Sequence, residues 1–314
     1  VRAASSCPDA SGPPISPAKV KAAMREMTTR KPRLDQFLDP AQLDAVERWL
    51  PDCTVVADLS WHETDTLVLH LRTPGSDYIL KSAGAVNRHF ERELVAHSGP
   101  TAALVESGFG AALRFADSRA RLMILEYLPG RLSEHTAREL DPEFHRQAGH
   151  ALRTLHQGTG RLDAEYESKL LAVSLKRLGQ GHRIEPENER RAYEALRAYR
   201  PRPVRLVPTH GDWQPRNWLS DHGNLKVIDF GRFDYRAPST DLVRLANQQW
   251  LGRPELEKAF LQGYGGDPRQ ARSWPIECLH EAIGTVVYAY RHGAEDFEAQ
   301  GQRMLGRALQ LAGC

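Results

Sequence analysis

The residues with the plainest chemical meaning stand close together: His210-Gly211-Asp212-Trp213-Gln214-Pro215-Arg216-Asn217, then Ile228-Asp229-Phe230-Gly231. An aspartate, an asparagine five residues later and a second aspartate before Phe-Gly are hard oxygen donors. Asn217 and Asp229 suit a Mg2+ ion. Asp212 suits a carboxylate that orients an attacking hydroxyl and accepts its proton. Carrying both functions on one short loop fixes their separation. The chemistry these types serve together is phosphoryl transfer. His210 reads as a framework residue for the loop backbone, because no second His or Cys stands near it at metal-ligand spacing.

Such a loop needs a scaffold on both sides. Upstream, Asp39 and Pro40 read as N-cap and first residue of a helix with Leu43, Val46, Trp49 and Leu50 on one face. Strands are expected at 54–59, 66–72 and 78–82, the last two joined by the turn TPGSD, followed by a helix at about 86–98. Two more strands are expected in AALRFA and RLMILEY. Antiparallel strands with one helix make a small α+β lobe. After Pro129-Gly130 the texture turns helical: PEFHRQAGHALRTLHQ, PENERRAYEALRAY, STDLVRLANQQW, PELEKAFLQGY and the chain from Pro275 onward. NLKVIDF alone reads there as a buried strand.

HGDWQPRN with IDFG resembles the aminoglycoside phosphotransferase / choline kinase superfamily, relatives of the protein kinases. The resemblance spans roughly residues 40–312 and implies an α+β, bilobal protein-kinase-like fold. It implies a nucleotide-binding N-lobe over 39–128 and a helical C-lobe over 129–314 with the catalytic loop and acceptor site. It also implies ATP, with GTP as the alternative, and Mg2+. Lys81, ending YILK, would contact the α- and β-phosphates and pair with Glu93 in FEREL, Glu91 being the other candidate. LEYLPG would be the hinge, where backbone of Glu126 and Leu128 meets adenine. Asp241 in PSTDLVRL would cap a helix or brace the catalytic loop. One departure is that no G-x-G-x-x-G joins the first two strands; the loop reads SWHETD, with Ser60 the candidate for the phosphates. Trp250 and Tyr288 are the aromatic candidates for the acceptor.

A protein kinase would need a long activation segment, yet Ala237-Pro238-Ser239 follows Gly231 after five residues. A small-molecule hydroxyl acceptor is therefore expected: an antibiotic or secondary metabolite, or a housekeeping choline, sugar or amino alcohol. A nucleotide-binding pseudokinase is the reading from another class. From Arg121 onward, 28 Arg/Lys stand against 25 Asp/Glu, which disfavours a highly cationic acceptor.

Net charge over the 314 residues is +2, so no nucleic-acid partner is implied. No apolar run approaches a membrane span, and residues 1–38 read as a disordered or flexible leader whose basic stretch 18–33 could make a short helix. Cys7, Cys53, Cys278 and Cys314 are scattered without metal-ligand spacing, so free thiols in a cytoplasmic protein are expected. Oligomeric state has no signature here.

Overall fold

The computed structural model describes residues 33–61 and 65–313. The expected helix at 18–33, most of the leader, and Cys7 and Cys314 lie outside the described residues or at their border. Strands β1 (Thr54–Asp58), β2 (Thr66–Arg72), β3 (Asp77–Ala83), β4 (Leu113–Asp117) and β5 (Leu122–Glu126) form an antiparallel sheet in the order β1-β2-β3-β5-β4. Period-two alternation gives this sheet two different faces. Leu69, Leu71 and Leu80 pack on one side with Val46 and Leu50 of helix α1 (Pro40–Trp49). Ile79, Ala83, Met123 and Leu125 pack on the other with Phe90 of helix α2 (Arg88–His97). Lys81 belongs to this second face and Ser82 to the first.

Helix α1 starts where the sequence says it should. Asp39 accepts from Gln42 N–H at 2.9 Å, Gln42 returns to the Asp39 N–H, and Pro40 fills N1. Ahead of α1, Leu34–Gln36 form a 3-10 turn and Leu38 is buried against the helix. A hollow of about 690 Å³ opens on the Ser82 side, bordered by Asp39, Gln42, Asp65 and Arg121, across the sheet from Lys81.

A short helix α3 (Ala102–Glu106) precedes β4. The second lobe holds α4 (Pro142–His156), α5 (Tyr166–Leu178), α6 (Pro186–Ala198), α7 (Val243–Asn247), α8 (Pro254–Tyr264), α9 (Trp274–His292) and α10 (Glu295–Leu311). Phe144, Ala148, Leu152 and Leu155 turn one face of α4 into the core with Trp213, Trp218 and Phe260. The α4–α8 crossing is made by bare backbone. A Cβ on Gly149 would lie 2.0 Å from the Phe260 carbonyl oxygen, and one on Gly263 1.9 Å from that of Arg146. Helices α5, α6, α9 and α10 enclose a second core around Leu279, Ile283, Val286 and Leu305. No helix among the described residues is long and apolar enough to cross a membrane.

Two expectations for this lobe are corrected. It holds six short strands rather than one: β6 (Arg131–Leu132), β7 (Arg161–Asp163), β8 (Val204–Thr209), β9 (Trp218–Asp221), β10 (Asn224–Val227) and β11 (Asp234–Arg236). They form two three-stranded sheets, β10-β9-β6 and β11-β8-β7. Each is too short for a clear period, and β8 carries Pro208. The helix expected over STDLVRLANQQW is a 3-10 turn, Pro238–Leu242, followed by the five-residue α7.

Candidate active site

The first arm of the site comes from the sheet and α2. Lys81 Nζ donates to Glu93 Oε1 at 2.6 Å and lies 3.9 Å from Asp229 Oδ1, with 12% of its side chain exposed. Against the pull of burial, Glu93 and Asp229 hold Lys81 above the ordinary lysine range, so it is charged. Glu93 Oε1 also accepts the Phe230 N–H at 3.3 Å, tying α2 to the segment after Asp229. Glu91, the other candidate, pairs with Arg121 instead. Asp229 takes φ +65°, a left-handed conformation that Asp tolerates better than most residues. Its side chain is 55% exposed. Desolvation works to raise its pKa, but Lys81 overrides this and holds the carboxyl below the usual range.

The second arm is the loop after β8, and it is pinned from beneath. Asp241, buried, accepts the His210 N–H at 2.9 Å and the Gly211 N–H at 2.6 Å. His156, the last residue of α4, adds a third bond to Asp241 at 3.1 Å and takes one from the Tyr264 hydroxyl at 2.9 Å. Burial pushes the Asp241 pKa up, yet His156 and the loop amides bring it below the ordinary value, so the brace is a carboxylate. Gly211 has φ +79°, and a Cβ there would lie 2.3 Å from the Arg232 carbonyl oxygen, so only glycine fits. His210 Nε2 meets the Ile228 carbonyl at 3.0 Å, and its Nδ1 accepts the Asp212 N–H at 3.2 Å. One imidazole thus links both motifs.

Asp212, 4% exposed, is heavily solvated by the protein itself. Oδ1 accepts from Gln214 at 2.6 Å and faces Arg244 Nε at 3.3 Å. Oδ2 accepts from Arg216 Nη2 at 2.6 Å, Arg216 Nε at 3.1 Å and Asn217 Nδ2 at 3.0 Å. Burial alone would raise its pKa; Arg244, Arg216 and Arg232 instead hold it well below the carboxylate range. Asn217 Nδ2 also reaches the Asp212 carbonyl at 2.8 Å, leaving the amide oxygen without a protein partner.

Other expected residues fall differently. The Leu128 N–H and C=O make no hydrogen bond within the described protein, which suits the hinge expectation. The Glu126 side chain pairs with Arg114. Ser60 is already engaged: its N–H donates to Asp58 and its Oγ accepts the Val68 N–H, both at 2.9 Å, holding the loop to β2. Trp250 is 4% exposed, packs on Phe260 and donates to His145 Nδ1, so it is a core residue and not an acceptor wall. Tyr288 is 54% exposed and stacks on His292. The sequence reading missed Arg216, Arg232, Arg244 and Glu281. Arg216 sits inside the main motif and Arg232 directly follows IDFG, so their positions were the available signal.

A braced loop bearing Asp212 and Asn217 and a charged lysine beside Asp229 thus stand on a strand-rich lobe and a helical one. Residues 59–274 match the model of the phosphotransferase enzyme family, and the chain belongs to that family. Solved structures agree in fold. Choline kinase LicA from Streptococcus pneumoniae is 16% identical, with 85% of this chain and 96% of that one covered and a TM-score of 0.59. Macrolide 2'-phosphotransferase MphH from Brachybacterium faecium is 18% identical, covering 84% and 96%, with a TM-score of 0.54. Aminoglycoside phosphotransferase APH(4)-Ia, a thermostable mutant solved with ADP and hygromycin B, is 14% identical, covering 87% and 99%, with a TM-score of 0.58. No curated protein matches the sequence significantly. The turn from Gly231 through β11 straight into the 3-10 helix at Pro238 leaves no activation segment, as the spacing predicts.

Proposed function

We propose that the chain transfers the γ-phosphate of ATP to a hydroxyl of a small molecule, with Asp212 orienting that hydroxyl. The observation that carries this reading is the convergence of Lys81, Glu93 and Asp229 from one side with Asp212 and Asn217 from the other. Lys81, fixed by Glu93, receives the phosphates, and the free Leu128 N–H and C=O receive adenine. Among the described residues no three His, Cys, Asp or Glu side chains gather as a metal cage. The unpartnered Asn217 amide oxygen and the exposed Asp229 carboxylate fit a Mg2+ ion that keeps phosphate and water ligands. Bound there, Mg2+ would neutralise phosphate charge.

In the transfer, the acceptor oxygen bonds to the γ-phosphorus as the bond to the β–γ bridging oxygen breaks, and ADP leaves. The hydroxyl proton passes to Asp212. A carboxylate with so low a pKa is a weak base, which suffices because a loose phosphoryl-transfer transition state asks mainly for alignment. The proposed acceptor is an antibiotic or secondary metabolite; structures of this fold include macrolide and aminoglycoside phosphotransferases as well as a choline kinase. Phosphorylation would then inactivate it by placing charge on a hydroxyl its target must recognise. Asp212→Ala should cut turnover at least about a hundredfold with Mg·ATP affinity retained. Asp229→Ala should instead abolish Mg2+-dependent nucleotide binding, read by calorimetry. Unchanged turnover in the first, or unchanged affinity in the second, rejects the assigned role.

A further inference from the structure

The charge around Asp212 is of unexpected sign for an amine-bearing acceptor. Arg216 forks onto Oδ2 of Asp212, and Arg244 reaches Oδ1 while its Nη2 donates to Glu281 at 2.6 Å. Both carboxylates are thereby neutralised by arginines that touch them. Two further guanidiniums lie within electrostatic reach, Arg232 of both carboxylates and Arg177 of Glu281. Arg232 is coupled to Asp212, Glu281, Arg244 and Arg216, yet its side chain makes no hydrogen bond or ion pair among the described residues. Arg177, on α5, is coupled to Glu281, and its Nη1 meets His280 at 3.4 Å. Four guanidiniums therefore face two carboxylates.

We infer that the acceptor carries an anionic group, a carboxylate or a phosphate, which Arg232 binds together with Arg216 beside the reacting hydroxyl. This rests on the phosphotransferase reading of the site. A cationic acceptor would find Asp212 and Glu281 already paired with arginine, leaving Asp229, which also faces Lys81, as the exposed carboxylate nearby. Burial pushes the guanidinium of Arg232 below its ordinary pKa, and Arg244 adds to this; an arriving anion removes that strain. Arginine is suited to the task because its planar fork matches both carboxylate and phosphate oxygens. Arg216 has a second part. Its side chain is 32% exposed, and it occupies the Asp212 oxygen that a hydroxyl must approach. An anion on the acceptor draws Arg216 aside and clears Oδ2 as the substrate docks, so binding and alignment are one event.

The test uses matched probes that differ only in charge: gluconate and glucose 6-phosphate as anions, glucose as the neutral twin, glucosamine as the cation. Thermal unfolding of the full chain is followed at saturating Mg·ADP, with each probe titrated to about 20 mM. Both or one of the anions should bind about ten- to a hundredfold more tightly than glucose, and glucosamine no more tightly than glucose. Which anion wins separates a carboxylate from a phosphate partner. Arg232→Gln should lose that advantage while keeping its Mg·ADP shift, and Arg303→Gln on the outside of α10 should keep both. Tighter binding of glucosamine overturns the inference, as does the absence of any shift with either anion. So does an Arg232→Gln variant that loses Mg·ADP rather than the anion, because Arg232 then serves the nucleotide phosphates. An anion shift without any Mg·ADP shift would leave the anion site standing and sink the phosphotransferase reading instead.

Discussion

Replacing Asp241 by asparagine tests whether the catalytic loop is held by charge from below. The aspartate receives three donors: the His210 and Gly211 amides and His156 Nε2. Oδ2 serves His210 and His156, and Oδ1 serves Gly211 alone. Asparagine can keep its oxygen on the shared position, but its NH2 then faces the Gly211 N–H at the former 2.6 Å separation. One charge-assisted bond becomes a donor–donor clash, and the two others lose their ionic part. With bonds to a charged group contributing about 1.5–3 kcal/mol each, the loss should be about 3–5 kcal/mol. Urea unfolding followed by tryptophan fluorescence reads this directly. Kinetics give the second reading. Asp241 touches none of Lys81, Glu93 or Asp229, so Mg·ATP affinity should stay within a few-fold. Turnover should fall about ten- to a hundredfold, because Asp212 follows directly on the freed Gly211. A variant within about 0.5 kcal/mol of the parent would refute the brace. Equal losses of affinity and turnover would refute its separation from the nucleotide arm.

Two other expectations follow from packing and burial. Gly149→Ala should destabilise by about 3 kcal/mol or more, since its Cβ would sit 2.0 Å from the Phe260 carbonyl. Gly306→Ala on α10 has open space around the new methyl and should stabilise by up to about 1 kcal/mol; denaturation midpoints moving the same way in both variants would contradict this. His280 is pushed down to about 4, first by burial and then by Arg177. Between that value and the unfolded 6.5 the unfolded chain binds the extra proton, so stability contributed by the neutral ring is full above 6.5 and drains as pH falls toward 4. The total is about 3 kcal/mol, and a His280→Gln variant should show a correspondingly flatter pH dependence of urea unfolding from pH 7 to 4.5; an unaltered slope would exclude the histidine.

Much of the site was legible because its chemistry is carried by local spacing. Asp212 and Asn217 share one loop and Asp229 precedes Phe-Gly, while Lys81 and Glu93 followed from the family resemblance. The N-cap at Asp39 and Pro40 at the first helical position followed the same local rules. What failed depended on distant partners. Trp250 looked available until Phe260 and His145 closed over it. The arginines around Asp212 were present in the motifs, but their shared focus with Glu281 is set by how α7 meets α9, which no local pattern states.

The glycine crossing between α4 and α8 reaches further than packing. His156 ends α4 and Tyr264 ends α8, and these two residues hand their hydrogen bond on to Asp241 and so to Gly211. The interlock that sets how deeply one rod sits in the other therefore also sets the height of the loop bearing Asp212. A methyl group inserted at that contact would act as a shim: besides loosening the fold where it sits, it would shift the loop that bears Asp212.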